Sequence, residues 1–428
     1  MRRPPKDTEE SARRISRRAA IMGAGMFGFM AVLAGRMRFM QVEQGDAYRL
    51  LAEENRVNLR LVPPVRGLIF DRSGRILAEN AQNYRIVVVR EDAGDLTETF
   101  ARLRGLVALT DEQVARAMRE IERRSPFVPV TVADQLAWED IAEVAVNAPA
   151  LPGVTPEVGL TRHYPLRGDF AHVVGYVGPV SERDLEGLAD RDPVLQIPDF
   201  QIGKVGVEKK HEPLLRGTAG TKRIEVNAVG RVMRELDRQE GEPGADLQLT
   251  VDAALQNFAQ ARMGEESASA VVMDVRSGDL LACASAPSFD PNLFVRGISV
   301  PDYRALTEDD HRPLATKTVQ GTYPPGSTFK MLVAIAGVEA GVITPGETLY
   351  CPGFKEMGGR RFHCWRRGGH GWMDMHDSVV QSCDVYYYEL AERVGIERIA
   401  AMARRFGLGE RFDLPLSAVA EGLMPDKD

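Results

Sequence analysis

The stretch Tyr323-Pro-Pro-Gly-Ser-Thr-Phe-Lys330 decides how the second half of this chain folds. Its two prolines block a helix upstream of Ser327, whereas the residues that follow are mostly apolar and lead to Gly341, which stands where a helix C-cap belongs. We therefore predict a helix from Ser327 to Ala340. Because residues three apart share one helix face, Lys330 Nζ is expected to reach Ser327 Oγ.

This Ser-x-x-Lys pair indicates a nucleophile with a base beside it. The start of a helix offers partial positive charge and free N–H groups to a developing oxyanion, and a buried Lys330 held neutral could accept the proton of Ser327. The alternative is a helix N-cap serine followed by an exposed lysine one turn later, because Ser-x-x-Lys alone also occurs by chance.

A second short motif, Ser382-Cys-Asp384, lies 55 residues downstream of Ser327, immediately before an apolar helical pattern at Val385 to Val394. The two motifs together resemble the active-site boxes of penicillin-binding transpeptidases and serine β-lactamases. That superfamily usually carries Ser-x-Asn at the second box. Asp384 departs from this pattern and is similar to the form common in the penicillin-binding protein 2 group of the class B family.

Four further segments, in the order of the family, resemble the pedestal of class B penicillin-binding proteins. They are Arg66 to Gly74 with Leu77-Ala78, His172 to Gly178, Gly203 to Glu208 with Leu215-Arg-Gly217, and Leu249 to Asp252. Each could be an ordinary set of turn residues if it stood alone.

The resemblance implies an α+β multidomain chain. We expect a basic cytoplasmic tail at 1–18, a transmembrane helix at 19–38, an irregular β-rich pedestal (dimerisation-type) domain at 39–240, and the N-terminal part of a transpeptidase domain, with helices around an antiparallel sheet, at 241–428.

By the same resemblance the protein is a peptidoglycan D,D-transpeptidase of cell elongation. Ser327 would be acylated by stem peptides or by β-lactams, with Lys330 as base, Ser382 as proton relay and Asp384 as a partner of Lys330 or of the substrate amide. Implied partners are a SEDS-family glycosyltransferase and other elongation-complex membrane proteins. The alternatives are a septal class B transpeptidase and a noncatalytic scaffold that activates a glycosyltransferase.

Charge along the chain predicts a membrane anchor and argues against a nucleic-acid partner. Residues 1–18 hold seven Lys or Arg, no charge occurs from Ala19 to Gly35, and the whole chain carries a net charge of -7. A cleaved signal peptide is the alternative, but Arg36 to Met40 offers no small-residue cleavage site. We expect a single pass through the inner membrane, with the N-terminus cytoplasmic and the bulk periplasmic.

Three of the four cysteines, with one histidine, have the spacing of a metal site: Cys351, Cys364, His370 and Cys383. Three thiolates and one imidazole complete a tetrahedral shell for structural Zn²⁺, with no position left for water. His363 is a competing imidazole. A disulfide between two of the cysteines, or three unlinked thiols, remain alternatives in an oxidising compartment.

The third box of the superfamily, Lys-Thr-Gly or Lys-Ser-Gly, does not occur after residue 384. We therefore expect this chain to be a fragment or a truncated product, poorly stable and weakly acylated when isolated.

Overall fold

The computed structural model describes residues 5–40, 57–186, 192–197, 200–227, 232–416 and 418–427. The first four residues of the predicted basic tail lie outside the described residues, as do residues 41–56 of the predicted pedestal. The chain divides into two compact units, and it passes between them several times. Unit 1 comprises Met1–Pro64, Asn83–Gly159 and Thr218–Glu242, and unit 2 comprises Val65–Gln82, Leu160–Gly217 and Pro243–Asp428. The predicted boundary near residue 240 stays a prediction.

Helices and strands are both numerous, and their bounds follow. The helices are α1 (Pro5–Arg38), α2 (Arg90–Ala93), α3 (Leu96–Arg104), α4 (Asp111–Arg123), α5 (Trp138–Val146), α6 (Ala171–Val174), α7 (Glu182–Leu185), α8 (Gly206–Lys210), α9 (Glu212–Arg216), α10 (Ala253–Met263), α11 (Val300–Glu308), α12 (Lys317–Gln320), α13 (Lys330–Glu339), α14 (Met375–Val380), α15 (Asp384–Val394) and α16 (Ile396–Arg405).
The strands are β1 (Val57–Val62), β2 (Ile69–Phe70), β3 (Ile76–Val88), β4 (Val130–Leu136), β5 (Val154–His163), β6 (Val177–Pro179), β7 (Gln201–Gly203), β8 (Gly220–Val226), β9 (Val232–Gln239), β10 (Leu247–Gln248), β11 (Ala268–Met273), β12 (Leu280–Ala286), β13 (Leu349–Cys351), β14 (Phe354–Met357), β15 (Arg360–His363) and β16 (Gly371–Met373).

Helix α1 contains the predicted anchor. Its segment Arg17–Arg38 is 22 residues long with a mean hydropathy of 1.5, and none of it is buried against the rest of the protein. A helix of this length and composition can cross the hydrocarbon of a bilayer. Within the described ranges it is the one helix that meets this criterion.

Unit 1 is built around antiparallel strands and amphipathic helices. Strand β8 pairs with β1 on one side and β9 on the other, and the second half of β3 pairs with β4. Helix α4 begins at a capping box, in which Thr110 accepts from the backbone N–H of Gln113. The core of this unit gathers Ile86, Val88, Phe100, Leu103, Ile121 and Val144.

In unit 2, the pedestal segments that resemble the family motifs meet in a buried ion network. Glu208 is fully buried and accepts from Arg66 Nε at 2.7 Å, from Arg162 Nε at 2.7 Å and from Tyr164 Oη at 3.2 Å. Arg66 Nη2 also lies 2.7 Å from Glu212 Oε2. Burial alone would lower the pKa of Arg66, but the two carboxylates raise it well above its ordinary value, so the guanidinium stays charged. The motif residues therefore hold segments together that are far apart in sequence.

The C-terminal part of unit 2 packs α13, α15 and α16 around a shared core. Leu390 of α15 is fully buried in this core, where it meets α13 at Gly337. A Cβ on Gly337 would lie 2.9 Å from Leu390 Cδ1, so a larger residue here would require the Leu390 side chain to shift. Their N-terminal ends carry the two predicted catalytic motifs. Strands β11 and β12 form an antiparallel hairpin in the same unit.

The start of the nucleophile helix differs from the prediction. Residues Gly326–Phe329 form a 3₁₀ turn, and the α-helix begins at Lys330 instead of Ser327. No side chain caps this end, and tightened 3₁₀ turns commonly close such helix termini. The predicted C-cap glycine, Gly341, adopts a φ of 65° after the last helical residues.

Candidate active site

The predicted nucleophile lies on the surface of unit 2, where a substrate can reach it. Ser327 is exposed, and its Oγ accepts a hydrogen bond of 3.0 Å from Ser382 Oγ. An attacking hydroxyl requires this accessibility, while the opposite face of α13, with Val333 and Ala336, enters the core.

Lys330 lies beside Ser382 and Asp384 and is largely buried. Its Nζ donates to the Ser382 carbonyl oxygen at 2.9 Å, to Ser382 Oγ at 3.1 Å and to Asp384 Oδ1 at 2.6 Å. In the described hydrogen bonds Ser327 is joined to Lys330 through Ser382 and not directly, which corrects the expected direct contact. The three acceptors, one of them a carboxylate, attract the amine toward the second motif.

The backbone at Ser382 is unusual for a residue that is not glycine. Its φ is 48°, in the left-handed region, which costs roughly 1–2 kcal/mol for an L-residue. Such strain persists only when the surroundings fix it, and it is concentrated at functional sites. Here the strained turn connects α14 to α15 and aims both the hydroxyl and the carbonyl of Ser382 at Lys330.

Asp384, the first residue of α15, binds one side chain and one backbone group. Oδ1 binds Lys330, and Oδ2 accepts the backbone N–H of Trp365 at 3.0 Å. Trp365 is further fixed by its Nε1, which donates to the Gln381 carbonyl at 2.9 Å. The loop that contains the predicted metal ligands therefore contacts the catalytic carboxylate directly.

Two residues of this site were not predicted from the sequence. One is Trp365, whose contact comes from its backbone and leaves no side-chain signature, although its position next to Cys364 is a weak indication. The other is Tyr387, whose ring lies 5.7 Å from Lys330 Nζ in a cation–π arrangement. Tyr387 is three residues after Asp384 on α15, so helical spacing alone could have identified it.

The four predicted metal ligands also come together. The ligand atoms of Cys351, Cys364, His370 and Cys383 all lie within 4.8 Å of one another, and His363 is not among them. His370 Nδ1 is 3.5 Å from Cys364 Sγ and 3.7 Å from Cys351 Sγ. Tetrahedral zinc with Zn–S of about 2.3 Å and Zn–N of about 2.0 Å requires S···N separations of about 3.6 Å. The donor set and its spacing therefore fit Zn²⁺.

The electrostatics of the four residues suit a metal ligand set. Burial, with the charge of Arg366 next, lowers the pKa of His370, which keeps the imidazole in the neutral form that binds metal. Burial also raises the pKa of Cys383 to about 12, so its thiolate needs a compensating cation. All four cysteines of the chain are free and buried, with no disulfide among them.

Comparison with known proteins assigns both halves of the chain to one family. The sequence model of the penicillin-binding protein dimerisation domain matches residues 61–249, and that of the penicillin-binding protein transpeptidase domain matches residues 268–428. The chain therefore belongs to the penicillin-binding proteins that carry a dimerisation domain ahead of a transpeptidase domain. This result confirms the expected fold class.

Within this family the chain is similar to peptidoglycan D,D-transpeptidase MrdA, the penicillin-binding protein 2 type. It is 35% identical to MrdA of Acinetobacter baumannii over 99% of this chain and 63% of that relative, and 36% identical to MrdA of Escherichia coli over 98% of this chain and 67% of that relative. The chain thus spans about two thirds of the length of these relatives, and less than that for the Acinetobacter protein.

Solved structures agree with this placement. A complex between penicillin-binding protein 2 and MreC from Helicobacter pylori matches with a TM-score of 0.75 and 27% identity, over 86% of this chain and 69% of that chain. The single apolar helix near the N-terminus and the family together fit a single-pass protein of the inner membrane.

Proposed function

We propose that this protein cross-links peptidoglycan stem peptides as a D,D-transpeptidase of cell elongation, with Ser327 as the acylated nucleophile. One observation carries the proposal: the hydrogen-bonded chain from Ser327 Oγ through Ser382 Oγ to Lys330 Nζ, which ends on the carboxylate of Asp384. A nucleophile, a relay, a base and a counter-ion thus lie in the order that acyl transfer requires.

Acylation begins with the amine of Lys330 neutral. As Ser327 Oγ attacks the penultimate D-Ala carbonyl, its proton moves to Ser382 Oγ and the proton of Ser382 moves to Lys330 Nζ. The ammonium that forms is stabilised by Asp384 at 2.6 Å.

Collapse of the tetrahedral intermediate runs the relay in reverse. The C–N bond of the terminal peptide breaks, and the departing amine of D-Ala takes a proton from Ser382, which Lys330 replenishes. The amine of a neighbouring stem peptide then attacks the acyl ester, loses its proton to the same relay, and releases Ser327 with its hydroxyl restored. A β-lactam enters the first step through its strained amide and stops at the acyl-enzyme.

Labelling with fluorescent penicillin tests this proposal in the protein expressed from its complete reading frame. Ser327→Ala is expected to abolish labelling, whereas Ser267→Ala, which removes an exposed hydroxyl elsewhere in unit 2, is expected to leave it unchanged. Labelling that survives in Ser327→Ala would show a different nucleophile. A folded wild-type protein that never labels would favour the noncatalytic scaffold.

The cluster of Cys351, Cys364, His370 and Cys383 is proposed to bind one structural Zn²⁺. Its support is the fit of ligand identity and spacing described above, and the closed shell leaves the metal no catalytic position. The metal would fix the loop whose Trp365 N–H binds Asp384.

Metal analysis of the purified protein should give one zinc per chain. Cys364→Ser should lose it and unfold at lower temperature, while Cys283→Ser, outside the cluster, should retain it.

The proposed location and partners follow from the family. Helix α1 would cross the inner membrane once, with its basic end in the cytoplasm and the chain after helix α1 in the periplasm, in accord with the positive-inside rule. A SEDS-family glycosyltransferase and other elongation-complex membrane proteins are the proposed partners, and the Helicobacter pylori relative is a precedent through its complex with MreC. Fusion of a periplasm-specific reporter after residue 428 tests the orientation.

A further inference from the structure

One face of helix α4 in unit 1 carries a row of exposed arginines that form no ion pair with the described residues. Arg116, Arg119 and Arg123 stand at positions i, i+3 and i+7, so they follow one another along a single face. Together with Glu120 and Arg124 they line an open groove of about 270 Å³. These five residues are called the arginine groove below.

The three arginines of the row are exposed and have no ion pair with any residue in the described ranges, although acidic residues are available on the same helix. Glu120, the acid inside the arginine groove, lies 2.5 Å from Arg124 Nη2 and is occupied there. The groove therefore keeps a net positive charge in a protein whose total charge is -7.

No feature of the helix itself engages Arg116 and Arg119. Like charges three or four residues apart on a helix destabilise it by about 0.2–0.5 kcal/mol per pair, and the acids at the same spacings from Arg116, Glu112 and Glu120, offset this by similar amounts. The helix macrodipole favours cations in the last turn and thus accounts for Arg123, but Arg116 is in the middle of α4, where the dipole has no such effect. Arg116 and Arg119 are therefore held neither by the dipole nor by an ion pair among the described residues, and their guanidinium groups are available to a ligand.

We propose that the arginine groove binds an acidic helical segment of a partner protein, one that presents carboxylates at i, i+3 and i+7. Along an α-helix these spacings correspond to about 4.5 Å and 6 Å, so two helices with opposite charges at this period can pair guanidinium with carboxylate in register. Arginine forms planar two-point contacts with carboxylates. The groove is only one helix face wide and contains Glu120, which favours a narrow acidic helix over a flat anionic membrane.

The test uses the full chain in a neutral detergent and two synthetic peptides of identical composition. In the first peptide Glu occupies one helix face at i, i+3 and i+7, and in the second the same Glu residues are distributed around the helix. Fluorescence anisotropy should show tighter binding of the first peptide, which weakens as salt rises because the contact is exposed.

Variants locate the contact. A triple variant that combines Arg116→Glu, Arg119→Glu and Arg123→Glu should weaken binding of the first peptide on the order of tenfold or more, as three exposed ion pairs imply. The control combines Arg183→Glu, Arg276→Glu and Arg398→Glu, which changes the net charge equally at exposed, scattered sites and should alter binding less than about twofold. A triple Arg→Gln variant of the row, which removes like-charge repulsion, should fold at least as well as the wild type and also lose binding.

Three results would overturn the proposal. Equal binding of the two peptides would mean that only bulk charge is recognised, and equal loss in the scattered control would mean that the row has no special role. Binding of phosphatidylglycerol vesicles or of peptidoglycan strands that is tighter than peptide binding, and that the row variant abolishes, would assign the groove to a lipid surface or to the cell-wall polymer.

Discussion

Removing the hydroxyl of Ser382 is the sharpest test of the proposed relay. In Ser382→Ala the amine of Lys330 keeps its bonds to the Ser382 carbonyl position at 2.9 Å and to Asp384 at 2.6 Å, because neither depends on the side chain removed. Only the two hydrogen bonds of the Ser382 hydroxyl disappear, the one of 3.1 Å from Lys330 Nζ and the one of 3.0 Å to Ser327 Oγ. The variant should therefore fold, with a loss near the value of two net hydrogen bonds, about 1–3 kcal/mol.

The kinetic effect should be much larger than the effect on stability. Loss of a positioned proton-transfer group costs on the order of 10²–10⁴ in rate, which corresponds to about 2.7–5.5 kcal/mol in the barrier. The assay is the second-order rate constant for acylation of Ser327 by fluorescent penicillin, followed by time-resolved gel labelling. Ser267→Ala is the matched control, with an unchanged rate expected.

A second variant separates the hydroxyl from the strained backbone. Ser382→Gly also lacks the hydroxyl, but glycine adopts a φ of 48° without strain, so the turn should be retained. Both variants should be slowed to a similar extent. Acylation within about threefold of wild type in either variant would refute the relay, because 10²-fold is the smallest effect that the mechanism allows.

Three further predictions concern stability. Glu208→Ala should destabilise unit 2 by about 3–5 kcal/mol, because it leaves Arg162 buried without its carboxylate, and Glu208→Gln, which also lacks the charge but keeps an oxygen acceptor, should cost less; chemical unfolding measures both, and equal costs would contradict a contribution from hydrogen bonding beyond the charge. Leu390→Ala should cost about 2–5 kcal/mol by opening a cavity beside α13, and a loss below 1 kcal/mol would show that the core collapses freely. Burial of Asp71 raises its pKa, but hydrogen bonds from Ser73 and from neighbouring backbone N–H groups outweigh burial and lower the pKa. The ionised carboxylate therefore stabilises the fold at pH values above its unfolded pKa near 4, and this stability is lost as the pH falls through the folded pKa. Asp71→Asn should accordingly differ more from wild type at pH 7 than at pH 3 in thermal unfolding, and a constant difference would argue against this linkage.

The sequence predicted those parts of the fold and site that depend on local pattern. Helix α15 and the glycine that ends the nucleophile helix both follow from apolar periodicity and turn residues, which act over a few positions. The cluster of three cysteines and His370 was also visible, because ligand spacing is itself a sequence property.

The other features of the fold and the site depend on tertiary contacts that sequence patterns do not describe. The 3₁₀ start at Ser327, the bond from the Trp365 backbone to Asp384 and the preference of Lys330 for Ser382 all result from tertiary geometry. Arg66 and Glu208 each appeared in a recognisable segment, yet nothing in either segment indicated that they are partners across 142 positions. The arginines of α4 could be read from the sequence, but their lack of acidic partners could not.

The turn at residues 382–384 has a practical consequence for anyone who wishes to redesign this enzyme. Ser382 and Asp384 face Lys330, while Cys383 between them is fully buried beside Cys351 and Cys364 and stands at the N-cap position of the helix that follows, without a side-chain capping bond. A library that randomises residues 382, 383 and 384 together will consist mostly of variants that do not fold, because the buried position of Cys383 accepts few other side chains. Variation confined to Ser382 and Asp384, with Cys383 fixed, is the efficient route to folded variants with an altered environment at Lys330.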